Sequence, residues 1–208
     1  MKKKKTKRKG LFIILSSPSG AGKTSLTKGL LKNNKNIELS ISYTTRKKRP
    51  KERNNKDYNF ISKEEFEKLK KKKCFIEWAK VFNNYYGTSL EIVKKIHNNG
   101  KDVLFDIDWQ GSRKIKKKLG KEVVSIFILP PSKKELIRRL KKRAQDPPAI
   151  VKQRLSFYEK ELSHWREYKY VLINKNLIDT VKKIKSILEA ERIIFQKPKS
   201  IPKAIRSL

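Results

Sequence analysis

Residues Ser17 to Thr24 read Ser-Pro-Ser-Gly-Ala-Gly-Lys-Thr and follow the apolar run Leu11-Phe12-Ile13-Ile14-Leu15. Apart from Ser17, which stands where a Gly is usual, this is the phosphate-binding pattern G-x-x-x-x-G-K-[ST]. A short buried strand feeds a Gly-containing turn, and a helix-forming stretch, Ser25 to Leu31, follows. That order aims backbone N–H groups and a helix N-terminus at an anion. In such a loop Ser17, Pro18, Ser19, Gly20, Ala21 and Gly22 surround the triphosphate. The Lys23 ammonium then reaches the β- and γ-phosphates, and the Thr24 hydroxyl is placed for Mg²⁺. Binding of a nucleoside triphosphate is the expectation.

Four further groups of residues could do chemistry. Arg46 and Arg49 lie three apart beside hydroxyls in Ser42-Tyr43-Thr44-Thr45, and Arg forks bind phosphate in bidentate fashion. Tyr58 and Tyr86 add phenolic donors. Glu77 sits in the mostly apolar run Phe75-Ile76-Glu77-Trp78, and a buried carboxylate must be paired. A guanine edge, with N1–H and N2–H₂ adjacent, matches its two oxygens, whereas adenine N1 is an acceptor. An ion pair with Arg or Lys is the alternative. Thr88 could donate to guanine O6. Asp106 and Asp108 are two apart at the end of an apolar run. Asp106 could act on Mg²⁺ through water, and Asp108 could hold an Arg or the guanine amine. Arg139 and Arg143 share a helix face, and Arg154 follows the Pro147-Pro148 break. On a mobile lid such guanidinium groups neutralise a transferring phosphoryl group; Arg138 reads as surface charge.

The elements that must position these groups alternate strand and helix, which implies a parallel sheet covered on both faces. Strands are expected at 11–15, 37–42, 75–81, 102–107, 123–129 and 168–173. Helices are expected at about 23–32, 63–72 (capped by Ser62, with Glu65 at capping-box spacing), 89–98, 133–142 and 177–195. Residues 43–60 read as polar and irregular. The expected organisation is a P-loop core at 10–36, 91–137 and 159–196, an insertion at 37–90 and a helical lid at 138–158. Tails at 1–9 and 197–208 flank it. Ligands of open α/β sheets bind at the carboxyl ends of the strands, where both insertions emerge.

Composition limits the alternatives. A chain of 208 residues with 37% hydrophobic residues is one compact domain with room for small inserts. The lone Cys74 excludes an internal disulfide, and His97 and His164 make a zinc site a poor expectation. No apolar run reaches a membrane span, so a cytoplasmic protein without a membrane partner is expected. The net charge of +35 suggests nucleic acid. Lys is spread over nearly every helix face, however, and Asn and Ile are also abundant. A/T-rich coding accounts for that pattern, so no specific nucleic-acid partner is expected. An oligomer is compatible with the sequence but not derivable from it.

The segments S-P-S-G-A-G-K-T, S-Y-T-T-R-x-x-R, D-Y-N-F, F-I-E-W, N-Y-Y-G-T-S, D-I-D-W-Q-G, I-F-I-L-P-P-S, R-R-L-x-x-R and K-Q-R-L resemble, in order and spacing, the bacterial-type guanylate kinases. The resemblance covers about Gly10 to Arg192. It implies a doubly wound P-loop core with a GMP-binding insertion and an ATP lid. It also implies the reaction ATP + GMP ⇌ ADP + GDP in purine metabolism, with Mg²⁺. It assigns GMP phosphate to Ser42, Arg46, Arg49, Tyr58 and Tyr86, and guanine to Glu77 and Thr88 with Asp108 nearby. ATP phosphates fall to the loop, Arg139, Arg143 and Arg154. Catalytic charge comes from Lys23, Arg46 and the lid arginines. Lys51 and Asn55 stand where the family pattern P-G-E-x-x-G has glycines, and Ala144 follows Arg143 where Gly is usual. The rivals are a catalytically silent scaffold module of the same fold and a nucleic-acid binder.

Overall fold

The computed structural model describes residues 9–32, 34–81, 83–142 and 155–195. Strand β1 (Phe12–Ser16) is wholly buried. Its neighbours in space are β7 (Asp102–Asp106) and β8 (Val123–Leu129), both parallel to it. With β2 (Ile37–Leu39) and β9 (Tyr170–Ile173) they form a five-stranded sheet of order β2-β7-β1-β8-β9. Every pairing in it is parallel. Buried parallel strands read as continuous apolar runs because both faces are covered.

The two faces show the strand period of two. Leu11, Ile13 and Leu15 enter one core with Leu26 and Leu30 of α1 (Lys23–Leu31), and with Ile184 and Leu188 of α7 (Leu177–Phe195). Phe12 and Ile14 enter the other with Val93 and Ile96 of α3 (Leu90–Asn98) and Ile115 of α4 (Trp109–Leu119). A third cluster joins Leu136 and Leu140 of α5 (Lys133–Lys142) to Tyr158 of α6 (Tyr158–Ser163). The chain enters β1 at Gly10, where a Cβ would stand 1.9 Å from the Lys101 carbonyl oxygen.

A second sheet, order β4-β3-β6-β5, carries the insertion. Its strands are β3 (Tyr43–Thr44), β4 (Asn59–Phe60), β5 (Phe75–Val81) and β6 (Asn84–Ser89). Helix α2 (Lys63–Lys71) buries Phe66 against it, with the ring stacked on Phe75 and Tyr85. The Glu65 N–H donates to Ser62 Oγ at 3.1 Å, the expected cap.

The structure moves several expected boundaries. Ile37–Leu39 pairs with β7, so the first strand expected in the insertion belongs to the core sheet. The polar stretch 43–60 holds two short strands, too short to show a period. Strand β6 and helix α4 had no counterpart among the expected elements. The lid over 138–158 lies mostly outside the described residues.

The far side of the core is tied by Asp102, fully buried in β7. It accepts from the Leu11 N–H at 2.9 Å and from the Arg192 guanidinium of α7. Removing one partner of a buried pair leaves the other charge uncompensated. Arg192→Leu is therefore expected to destabilise the fold by about 3 kcal/mol in urea titration. Unchanged stability would show that the pair does not anchor α7.

Candidate active site

The loop after β1 turns through Gly20 and Gly22, at φ 90° and 101°. Left-handed backbone of this kind strains residues that carry a Cβ. At Gly22 a Cβ would also meet Asn174 Nδ2 at 2.5 Å. The loop thus delivers Lys23 to the carboxyl ends of β1 and β7. Its ammonium lies 2.8 Å from Asp106 Oδ1 and donates to the Ile107 carbonyl at 3.1 Å. Thr27 donates to the other Asp106 oxygen at 3.2 Å. Burial pulls the Lys23 ammonium towards neutrality, but Asp106 more than offsets it and raises its pKa. Lys23 is therefore a charged group beside the loop amides. Thr24 is exposed in the first turn of α1.

Two residues from distant segments complete the loop. Glu161 of α6 accepts from the Ser19 N–H at 3.0 Å. Asn174 donates to the Ala21 carbonyl at 2.9 Å. Arg139 docks at the same place. It donates to Ala21 O at 3.3 Å and Asn174 O at 3.2 Å, and its Nε donates to Glu135 at 2.8 Å. Ser17 Oγ donates to the Pro18 carbonyl at 3.0 Å. Arg143 and Arg154 lie outside the described residues.

The second sheet and its loops gather the other predicted groups. Arg46 Nη2 donates to both Glu52 oxygens, at 2.8 and 2.9 Å, and Arg49 Nη1 reaches the same carboxylate at 3.2 Å. Burial works against the Glu52 charge, but Arg46 and the Arg49 N–H hold its carboxyl below the usual range. The Arg46 guanidinium lies 5.4 Å from the Tyr58 ring, and Tyr58 meets Tyr86 edge-on at 5.9 Å. Burial first, then Asp106, push the Tyr58 hydroxyl well above its ordinary pKa, so it remains a donor. Ser42 is buried, and its carbonyl accepts from the N–H of Asn59, next to Tyr58. Asn55 holds φ 59° in this loop, and Asn tolerates that conformation better than most residues. Among the described residues Lys51 has no positive φ. Of the two positions without glycine, only Asn55 therefore takes up left-handed backbone, and its residue type moderates the strain.

Glu77 of β5 is 4% exposed. Thr88 donates to its Oε1 at 2.5 Å, so in this state that hydroxyl orients the carboxylate. Burial pushes the Glu77 carboxyl up to about 7, with Asp108 adding and Thr88, Lys114 and Lys118 opposing. Asp108 caps α4, accepting from the Gly111 N–H at 3.0 Å and from Gln110 Nε2 at 3.1 Å. Both of these donors belong to the first turn of α4 rather than to an Arg.

Sequence reasoning missed Thr27, Glu52, Glu161 and Asn174. Glu52 was the one acidic residue in the run from Arg46 to Lys56. Asn174 directly follows β9, at a strand's carboxyl end, where ligand-side residues collect. Glu161 carried no local signal.

A P-loop on the central strand of a parallel sheet faces an inserted sheet with an Arg–Tyr cluster and a buried carboxylate. That combination defines a P-loop nucleoside monophosphate kinase. Likeness to known proteins narrows the class. Residues 9–191 match the family model for guanylate kinase. A guanylate kinase of Bartonella henselae is 52% identical over 92% of this chain and 86% of its own length. One of Rickettsia felis is 53% identical over 89% and 96%. The crystal structure of guanylate kinase from Anaplasma phagocytophilum aligns with a TM-score of 0.76 at 38% identity, covering 90% of this chain and 88% of that one. The chain belongs to the guanylate kinase family.

The raised Glu77 pKa has a stability consequence. A carboxyl whose pKa is higher folded than unfolded favours the fold at low pH and loses that contribution as pH rises through the folded value. A rise from 4.5 to about 7 corresponds to roughly 3 kcal/mol lost across that window. Ligand-free Glu77→Gln is expected to exceed the parent in stability above pH ~7, with the gap closing towards pH ~4.5. A pH-independent gap in urea titrations would contradict the assignment.

Proposed function

We propose that the cleft between the two sheets carries the family reaction. The chain transfers the γ-phosphoryl group of ATP to GMP, reversibly, giving ADP and GDP. The arrangement of three groups supports this reading most. A cationic loop for the donor, an Arg–Tyr cluster for an acceptor phosphate and a buried carboxylate for a base lie within electrostatic reach of one another: Asp106 holds Lys23 and acts on Tyr58, and Asp108 acts on both Lys23 and Glu77.

The acceptor is already a phosphate anion, so no strong general base is required. Catalysis is positioning plus neutralisation of charge. The loop amides and Lys23 hold the donor. Arg46 and Arg49 exchange Glu52 for the GMP phosphate, helped by Ser42, Tyr58 and Tyr86. Glu77 accepts from guanine N1–H and N2–H₂; once its Thr88 partner swings to O6, the whole Watson–Crick edge is engaged. Asp108, held by its capping role, lies beside the amine. Arg139, Arg143 and Arg154 supply charge from the lid.

Among the described residues no three His, Cys, Asp or Glu side chains gather as a metal cage. Mg²⁺ is commonly held by one or two protein oxygens with substrate phosphates completing its shell. The exposed Thr24 hydroxyl and the Asp106 carboxylate beside the loop fit that mode, Asp106 through water. The ion would supply charge neutralisation on the phosphates. Among the described residues no helix is long and apolar enough to cross a membrane. The reading places the protein in the cytoplasm, with ATP and GMP as its partners.

A coupled assay with Mg–ATP and a panel of nucleoside monophosphates tests the proposal. ADP release with GMP and little with AMP, CMP or UMP is expected; none with GMP overturns it. In the same assay Lys23→Met should lower kcat by about 10²–10³-fold. Glu77→Gln should raise KM for GMP and narrow the GMP/AMP ratio by at least about tenfold. An unchanged ratio would remove Glu77 from base selection.

A further inference from the structure

Strand β5 is the edge of its sheet, so alternate carbonyls on its outer side have no strand partner. Such a row is costly if buried bare and adhesive if exposed. Helix α4 runs past it and covers it with side chains one turn apart. Gln110 Nε2 donates to the Lys80 carbonyl at 3.3 Å. The Lys114 ammonium donates to the Trp78 carbonyl, and the Lys118 ammonium to that of Ile76. The pitches agree. Four helical residues advance about 6 Å and two strand residues about 6.8 Å. Steps of four up α4 therefore keep phase with steps of two down β5. The Lys114 rung is braced further, because its ammonium lies 4.5 Å from the Trp78 ring, with Lys70 at 4.7 Å.

These rungs join two different units. Helix α4 packs in the core through Ile115 and starts at its Asp108 cap. Strand β5 carries Glu77 in the inserted sheet. At the start of α4, Gly111 lies against Glu77, and a Cβ there would stand 2.9 Å from Oε2. The Thr88 hydroxyl of β6 contacts the Glu77 carboxylate, and Asp108 before α4 and Lys114 and Lys118 of α4, bonded to the carbonyls on either side of it, lie within electrostatic reach. The two lysines are the cations among them.

We propose that Lys114 and Lys118 are positioning residues for base recognition: they seal the outer edge of β5 and, as counter-charges, hold the Glu77 carboxylate in register with Asp108. Each acts through β5 rather than on the nucleotide. The inference rests on the reading of Glu77 as the guanine partner.

Steady-state kinetics of the full chain from about pH 6 to 9, varying GMP and ATP in turn, tests it. The Lys114→Met/Lys118→Met variant is expected to raise KM for GMP about tenfold, leaving KM for ATP and kcat within about twofold. The acidic limb of 1/KM for GMP should move up by about one pH unit, since the carboxylate loses two cations. Gln at both positions keeps a donor for the carbonyls without charge, and should move the limb while sparing GMP affinity at alkaline pH. Arg at both positions should restore both properties. A double Met variant with parental KM and limb for GMP overturns the inference. So does parallel loss of GMP and ATP parameters that Arg fails to restore. Glu77→Gln, run alongside, separates the two readings. If it raises KM for GMP while the lysine variants do not, positioning alone fails. If it leaves KM for GMP unchanged, the base reading beneath it fails too.

Discussion

A cleft built to receive phosphates must hold concentrated positive charge in place before any phosphate arrives. In this structure protein carboxylates do so. Asp106 holds Lys23, Glu52 holds Arg46 and Arg49, and Glu161 accepts from the loop amide at Ser19. Unopposed, these cations would repel one another and the loop N–H groups would lack partners. The geometry is therefore set in advance, at a cost to affinity. An incoming phosphate exchanges one anion for another, and only the difference appears as binding. The advantage lies in orientation, because Lys23 does not have to search for its position when the donor binds.

The base end of the cleft follows a different logic. Among the described residues Glu77 has no cation in direct contact, and its carboxyl is raised to about 7. Its hydrogen-bond partner is a neutral hydroxyl, which leaves acceptor capacity for an incoming donor–donor edge. A direct ion pair would have stabilised the carboxylate and filled that capacity. Lys114 and Lys118 sit on the backbone of β5 instead, close enough to favour the charge without covering it.

How far the sequence discloses this depends on the kind of signal. The buried parallel strands were legible because continuous apolar runs bounded by turns have few other readings, and β1 with its glycine loop was the strongest case. The Arg–Tyr and Glu–Thr groups were legible by chemistry and by family likeness, and the fold brings each set together. Strands β3 and β4 were not, because two residues carry no periodicity. Strand β2 joined the core because Ile37 to Leu39 pairs with β7, a long-range fact no local window contains. Glu161 was hidden for the same reason, lying 142 residues from the amide it contacts. Asn55 shows the converse. It stands where the family pattern has a glycine, yet Asn is one of the few residues that tolerates the left-handed backbone angle found there.

The lysine excess also changes meaning once contacts are known. Composition alone treats the +35 charge as a property of the surface. On α4, however, Lys114 and Lys118 reach backbone carbonyls of β5, and Lys116 reaches the Glu167 carbonyl on another side. A flexible stem ending in three donors can find an uncapped carbonyl from many positions. A chain rich in lysine therefore gains edge-sealing contacts readily. The same ammonium brings charge with it, and beside a buried carboxylate that charge becomes functional. A general lysine excess and local function are then compatible, because the register between α4 and β5 decides which of the lysines reach the edge of the inserted sheet.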